Sequence, residues 1–279
     1  MGQRSSFPMP ISPDTPVMDT HCHLTADDFD ADRDEVITRM KAAGTMAAIV
    51  IGCDDDDYPK VLQLTQQYPG TLWGAWGLHP EYENVPEVSL ETIVERCSAP
   101  GIVAVGETGL DFYWCKEPLD WQRARFRRHI EAARILKKPL VIHARDSETE
   151  ALAILREEHA GDMGFVMHCF SGTERDAKEA VDLGGCVSFT GSLTFKRNDA
   201  LRAVCGALPL TSIMLETDSP YMAPVPMRGK RCEPTFIPHI ANVVATIHGV
   251  TPEEVARTTT QTAIRFFGLP LTYPAAPAL

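Results

Sequence analysis

Eight short apolar runs recur along this chain roughly every 28 residues, each followed by a stretch whose apolar residues have helical spacing. Strands are predicted at 17–21, 46–51, 71–77, 102–107, 140–143, 165–168, 186–189 and 212–216. Helices are predicted at 32–43, 58–68, 89–97, 119–137, 147–159, 173–183, 199–206, 236–248 and 252–267. Such alternation requires a parallel sheet covered by helices. Eight strand–helix units in about 250 residues fit an α/β fold, a single (β/α)8 TIM-type barrel, somewhat distorted. A doubly wound open sheet is the rival, but no G-x-G-x-x-G or G-x-x-x-x-G-K-[ST] follows any predicted strand. No linker or shift of composition divides the chain. The barrel is expected over 17–268, after a flexible leader at 1–16 and before a tail at 269–279.

Charge narrows the function. With 26 Lys+Arg against 38 Asp+Glu, the net charge is −12, which argues against an extended basic groove for nucleic acid. A small phosphate site remains compatible if metal ions bring the positive charge. No apolar run approaches the ~18 residues of a membrane span. The eight cysteines are scattered without a C-x-x-C pair, as expected of reduced thiols in a cytoplasmic protein. The leader holds four prolines and no apolar signal-peptide core. Gly2 matches the myristoylation pattern M-G-x-x-x-S, but that pattern is short and common, so the leader is read as plain chain. The acidic run 54–57 is read as favouring the N-terminal end of a helix. No protein partner is evident.

The nine histidines fall into two groups. His129, His159, His239 and His248 lie on helical patterns, where a solvated or core-edge imidazole is expected. His21, His23, His79, His143 and His168 all stand at or just past the C-terminal end of a predicted strand. Those ends form the reactive mouth of a barrel. Alternation puts residues i and i+2 on one side of a strand. It therefore pairs His21 with His23, sets Glu107 on the face of Val103 and Val105, and pairs His143 with Arg145 and Glu216 with Asp218. Imidazoles and carboxylates converging in this way suit Zn, Mn, Fe or Mg, and a shared carboxylate can bridge two ions. The basic cluster at 228–231 follows the last strand and is either a solvated loop or a phosphate-binding rim.

The stretches DTHCHL (19–24), GLHP (77–80), VGETGLDFY (105–113), KKPLVIHARD (137–146), HCFSG (168–172), LPL followed by IMLETDSPYMAP (208–224) and MRGKRCEP (227–234) together resemble the TatD-type metal-dependent hydrolases of the amidohydrolase group. The resemblance runs in order from residue 17 to about 268. It implies a distorted barrel holding two divalent ions (Mg, Mn or Zn). His21, His23 and Asp218 would hold one ion, His143 and His168 the other, and Glu107 would bridge them. Departures from the family pattern are Cys232 and Thr262, where Asn is common. The first bears on substrate contacts at the rim and the second on packing.

The expected function is a metal-dependent phosphodiesterase, a 3′–5′ exodeoxyribonuclease acting on single-stranded DNA or short ends. Asp218 would take a proton from the attacking water. His79, Arg145 and Arg228 would contact substrate, with His79 and Glu107 also part of the catalytic apparatus. Glu216 would orient a ligand histidine from behind. Two other functions fit the same residues: hydrolysis of an ester, lactone or amide (an aminoacyl-tRNA ester included), and a non-catalytic binding protein on a barrel scaffold.

Overall fold

A computed structural model describes residues 10–274. Strands β1 (Val17–Cys22), β2 (Thr45–Gly52), β3 (Leu72–Trp76), β4 (Ile102–Asp111), β5 (Leu140–Arg145), β6 (Phe165–Met167), β7 (Cys186–Phe189) and β8 (Ile213–Leu215) pair in sequence order, every pair parallel. Helices α1 (Arg33–Ala42), α2 (Asp57–Gln67), α3 (Leu90–Ser98), α4 (Asp120–Leu136), α5 (Glu148–Glu157), α6 (Glu174–Asp182), α7 (Asp199–Ala207) and α8 (Ile237–His248) surround the strands, and α9 (Pro252–Phe266) packs against β1 and β8. The expected barrel is present, and so is its distortion. Between β1 and β8 no ladder forms, only the isolated bridge from Cys22 to Ser219.

Side chains close that seam instead. Thr20 Oγ1 donates to the Leu215 carbonyl at 3.1 Å. The buried Asp19 carboxylate accepts from the Thr217 amide at 2.9 Å and from its hydroxyl at 2.5 Å. The Asp218 amide donates to His21 O and the His23 amide to Ser219 O. The two chain ends of the sheet are therefore tied where they carry candidate ligands.

Strand alternation produces two apolar layers. Met18, Ala47, Ile49, Ile51, Ala75, Ala104, Val141, Val166 and Met214 fill the interior, and Ala263, Phe267 and Leu269 beyond and within α9 plug it. Neighbouring residues such as Val17, Val50, Trp76, Ile142 and Phe165 point out against the helices. The interior is thus packed solid, leaving the strand C-terminal ends as the place for chemistry. Leu269 shows the chain packed past residue 268, and Ile11, 3% exposed, shows it packed before residue 17. Residues 1–9 of the expected leader, Gly2 included, lie outside the described residues, as do 275–279. No helix among the described residues is long and apolar enough to cross a membrane.

Two local readings need correction. Helix α5 ends at Glu157 rather than running to residue 159, because His159 takes a left-handed conformation with φ 52°. On β4, Val105 packs outward and Ala104 inward, so plain alternation would turn Glu107 away from the mouth. A register shift between Val105 and Thr108 reverses it. Gly106, inside the shift, has φ 139°, and Gly109, just past it, has φ 145°. A Cβ on either would collide with a carbonyl oxygen of β5.

Candidate metal centre

Glu107 is 2% exposed, and imidazoles surround both of its oxygens. Oε2 lies 3.2 Å from His21 Nε2 and 3.9 Å from His23 Nε2. Oε1 lies 2.9 Å from His143 Nδ1 and 3.3 Å from both His79 Nε2 and His168 Nε2. Asp218 Oδ1 approaches His23 Nε2 at 3.3 Å and His21 Nε2 at 3.8 Å. Among the described residues, His21, His23 and Glu107 form one group with metal-binding spacing; His79, Glu107 and His143 form another, and His21, His168 and Glu216 a third. Nitrogen and carboxylate donors held this closely, with little solvent, fit divalent ions that take mixed N/O ligands.

Ionisation follows from the crowding. Burial raises the Glu107 pKa, but His168, His79 and His21 outweigh it and hold the carboxyl well below its usual range. Burial lowers His143, yet its hydrogen bonds to Asp111 and Glu107 carry it up to about 9. His21 and His79 are pushed down, chiefly by burial.

The partner behind each ring decides which nitrogen offers a lone pair. His143 Nε2 faces Asp111 Oδ2 at 2.8 Å, and His168 Nδ1 faces Glu216 Oε1 at 3.0 Å. On that side the ring N–H donates to the carboxylate, which leaves the lone pair of the opposite nitrogen for the centre. Glu216 is itself fixed by the Cys169 amide at 2.5 Å and the Ser188 hydroxyl at 2.7 Å. His79 is arranged the other way round. Its Nδ1 accepts from the Glu81 amide at 3.1 Å, so in the neutral ring the proton sits on Nε2 and points into the centre.

A cleft of about 320 Å³ opens over these groups and is lined by Glu107, Asp218, Asp111, His23, His79, His143 and His168. Arg145 lines it too. Its guanidinium lies 4.0 Å over the Tyr113 ring and makes no ion pair among the described residues. Arg228 does not line the cleft; it stands 4.3 Å over Phe195. Cys232 is not at the rim either, being fully buried beneath the loop with Ala223 and Met227. Thr262 donates to Thr211 O at 3.2 Å. In the acidic run, Asp54 accepts the Asp56 and Asp57 amides at the start of α2.

Cys53 and Asp111 are among the mouth residues that the sequence pattern did not single out. Cys53 ends the inward row of Ile49 and Ile51 on β2, a spacing that could have revealed it. Asp111 lies four residues beyond Glu107, on a strand expected to have ended. Of the two settings expected for a helical histidine, solvated or at the core edge, His129 takes the buried one, at 1% exposed. Its Nε2 accepts the Leu78 amide at 3.0 Å, with Nδ1 2.9 Å from Arg125 O, which anchors the segment leading to His79. Burial pushes this imidazole down to about 4. The unfolded chain therefore gains a proton below about pH 6.5 that the folded chain refuses until pH 4, and stability is lost as pH falls through that window. The loss amounts to roughly 3 kcal/mol at most. Urea unfolding between pH 4 and 7 should show His129→Gln with a shallower pH dependence than the unaltered protein; parallel curves would contradict this.

A family model described as TatD related DNase matches residues 18–268. The chain is 36% identical over 252 residues to the uncharacterized metal-dependent hydrolase YabD of Bacillus subtilis, covering 90% of this chain and 98% of that protein. It is 32% identical over 263 residues to the 3′-5′ ssDNA/RNA exonuclease TatD of Erwinia billingiae, covering 91% of this chain and all of that one. The crystal structure of YJJV, a TatD homologue from Escherichia coli, superimposes with a TM-score of 0.85 at 28% identity, covering 91% of this chain and 98% of that one. A barrel with imidazoles and carboxylates gathered at its mouth and these likenesses agree: the chain belongs to the TatD-related DNase family and is a metal-dependent hydrolase.

Proposed function

We propose that the protein is a 3′–5′ exonuclease acting on single-stranded DNA ends, with two divalent ions (Mg, Mn or Zn) in the cleft. The observation that carries this reading is Glu107, whose two oxygens face separate sets of imidazoles, the disposition of a carboxylate shared between two ions. His21, His23 and Asp218 would hold one ion and His143 and His168 the other. Bound there, the ions supply positive charge against the developing charge on the phosphoryl oxygens and make a water more acidic.

The chain's own groups do the rest. Asp218, open to the cleft, accepts the proton of the attacking water. His79 donates a hydrogen bond from its Nε2–H to a phosphoryl or leaving oxygen, and the Arg145 guanidinium, which has no ion pair among the described residues, meets a phosphate. Only one or two phosphates can be held in this way. The chain as a whole is acidic, with a net charge of −12, so a chain end fits better than the middle of a polymer. A cytoplasmic location is supported by eight free thiols, most of them buried.

Fold and metal do not by themselves choose phosphorus over carbon. A panel of a nitrophenyl phosphodiester, a lactone and a 3′-labelled oligonucleotide tests the choice. Turnover of the oligonucleotide, with label released as mononucleotide, is the expected result. Lactone turnover with an untouched oligonucleotide would overturn the proposal.

A further inference from the structure

Tyr113 and Trp114 follow β4 directly and stand in solvent, 46% and 58% exposed. They are nevertheless held in place. Asp111 Oδ1 accepts the amides of Tyr113 at 2.9 Å and Trp114 at 2.7 Å, while its Oδ2 faces His143. One buried carboxylate thus ties the aromatic turn to the metal centre. Arg145 covers Tyr113 at 4.0 Å and lies 5.6 Å from the Trp114 centroid. The two rings meet edge to face, with centroids 4.7 Å apart. Trp114 and Arg145 line the same cleft as Glu107, as does Tyr221, 60% exposed.

We propose that Trp114, braced by Tyr113 and Arg145, forms a stacking platform for the nucleobase of the 3′-terminal nucleotide. This rests on the exonuclease reading above and adds what would hold the substrate. An acidic protein cannot grip a polyanion along its backbone. Stacking supplies affinity without using phosphates, and it tolerates any sequence because every base has a π-face. The arginine strengthens the platform as a cation beside the rings. A paired base is already stacked in its duplex, so the platform favours unpaired ends.

The test compares two single-stranded oligonucleotides, labelled at the 5′ end and identical except that one has an abasic 3′-terminal nucleotide. The unaltered enzyme should remove the intact nucleotide roughly 5- to 100-fold faster in kcat/KM, mainly through KM. Trp114→Ala should bring that ratio towards one, and Trp114→Phe, which keeps a ring, should retain most of it. Equal turnover of both substrates by the unaltered enzyme, or an undiminished preference in Trp114→Ala, would overturn the platform. So would sedimentation showing a dimer that dissociates in Trp114→Ala, since the rings would then serve a protein interface. If neither oligonucleotide is cut, the exonuclease reading itself fails, a result distinct from cleavage without base preference.

Discussion

Glu107→Ala is expected to lower turnover by roughly 10⁴-fold or more, as removal of a group on which a whole catalytic unit depends does. The carboxylate lies within 4 Å of five imidazoles, so its loss affects both proposed ion positions at once. Metal content should therefore fall by more than one ion per chain. The fold should survive, because the barrel interior and the helix layer are built from separate apolar clusters that do not include Glu107. Far-ultraviolet circular dichroism together with elemental analysis checks both statements. A folded variant that keeps its full metal content would remove Glu107 from the bridging role.

The second large effect is expected at His79. His79→Ala should keep its metal and lose about 10²- to 10³-fold in kcat, the scale of a lost hydrogen-bond donor to developing charge. The difference from Glu107 follows from the Glu81 amide, which occupies His79 Nδ1 at 3.1 Å and leaves Nε2 as a donor rather than a ligand. Loss of metal in the variant would make His79 a ligand after all, whereas an unchanged rate would leave it with a purely structural part.

The sequence allowed much of this to be read, for reasons that differ from strand to strand. On β5, β6 and β8 the inward residues Val141, Val166 and Met214 are followed at even spacing by His143, His168 and Glu216, so alternation alone directs those side chains to the mouth. On β4 it does not. Glu107 arrives through a register shift, and grouping it with Val103 and Val105 reached the mouth by a geometry the strand does not have. Even spacing also could not show that the β1–β8 ladder is missing, because the hydrogen bonds of Asp19 and Thr20 across the seam leave no periodic mark. Helical spacing around His129 is mixed, so the sequence left it either solvated or at the core edge; its burial depends on the loop carrying Leu78 folding back over α4. Arg228 looked like a rim residue from its place after β8, but the turn sends it to Phe195.

The most direct measurement starts from enzyme stripped of metal and adds Mg, Mn or Zn back singly. Its substrates are a 3′-labelled linear single strand and a closed circle of the same sequence. No cleavage should occur without metal. Restored activity should saturate near two ions per chain, release the label as mononucleotide from the linear strand and leave the circle whole. Cleavage by the stripped enzyme, or cutting of the circle as fast as the linear strand, would contradict a metal-dependent site that works from a chain end.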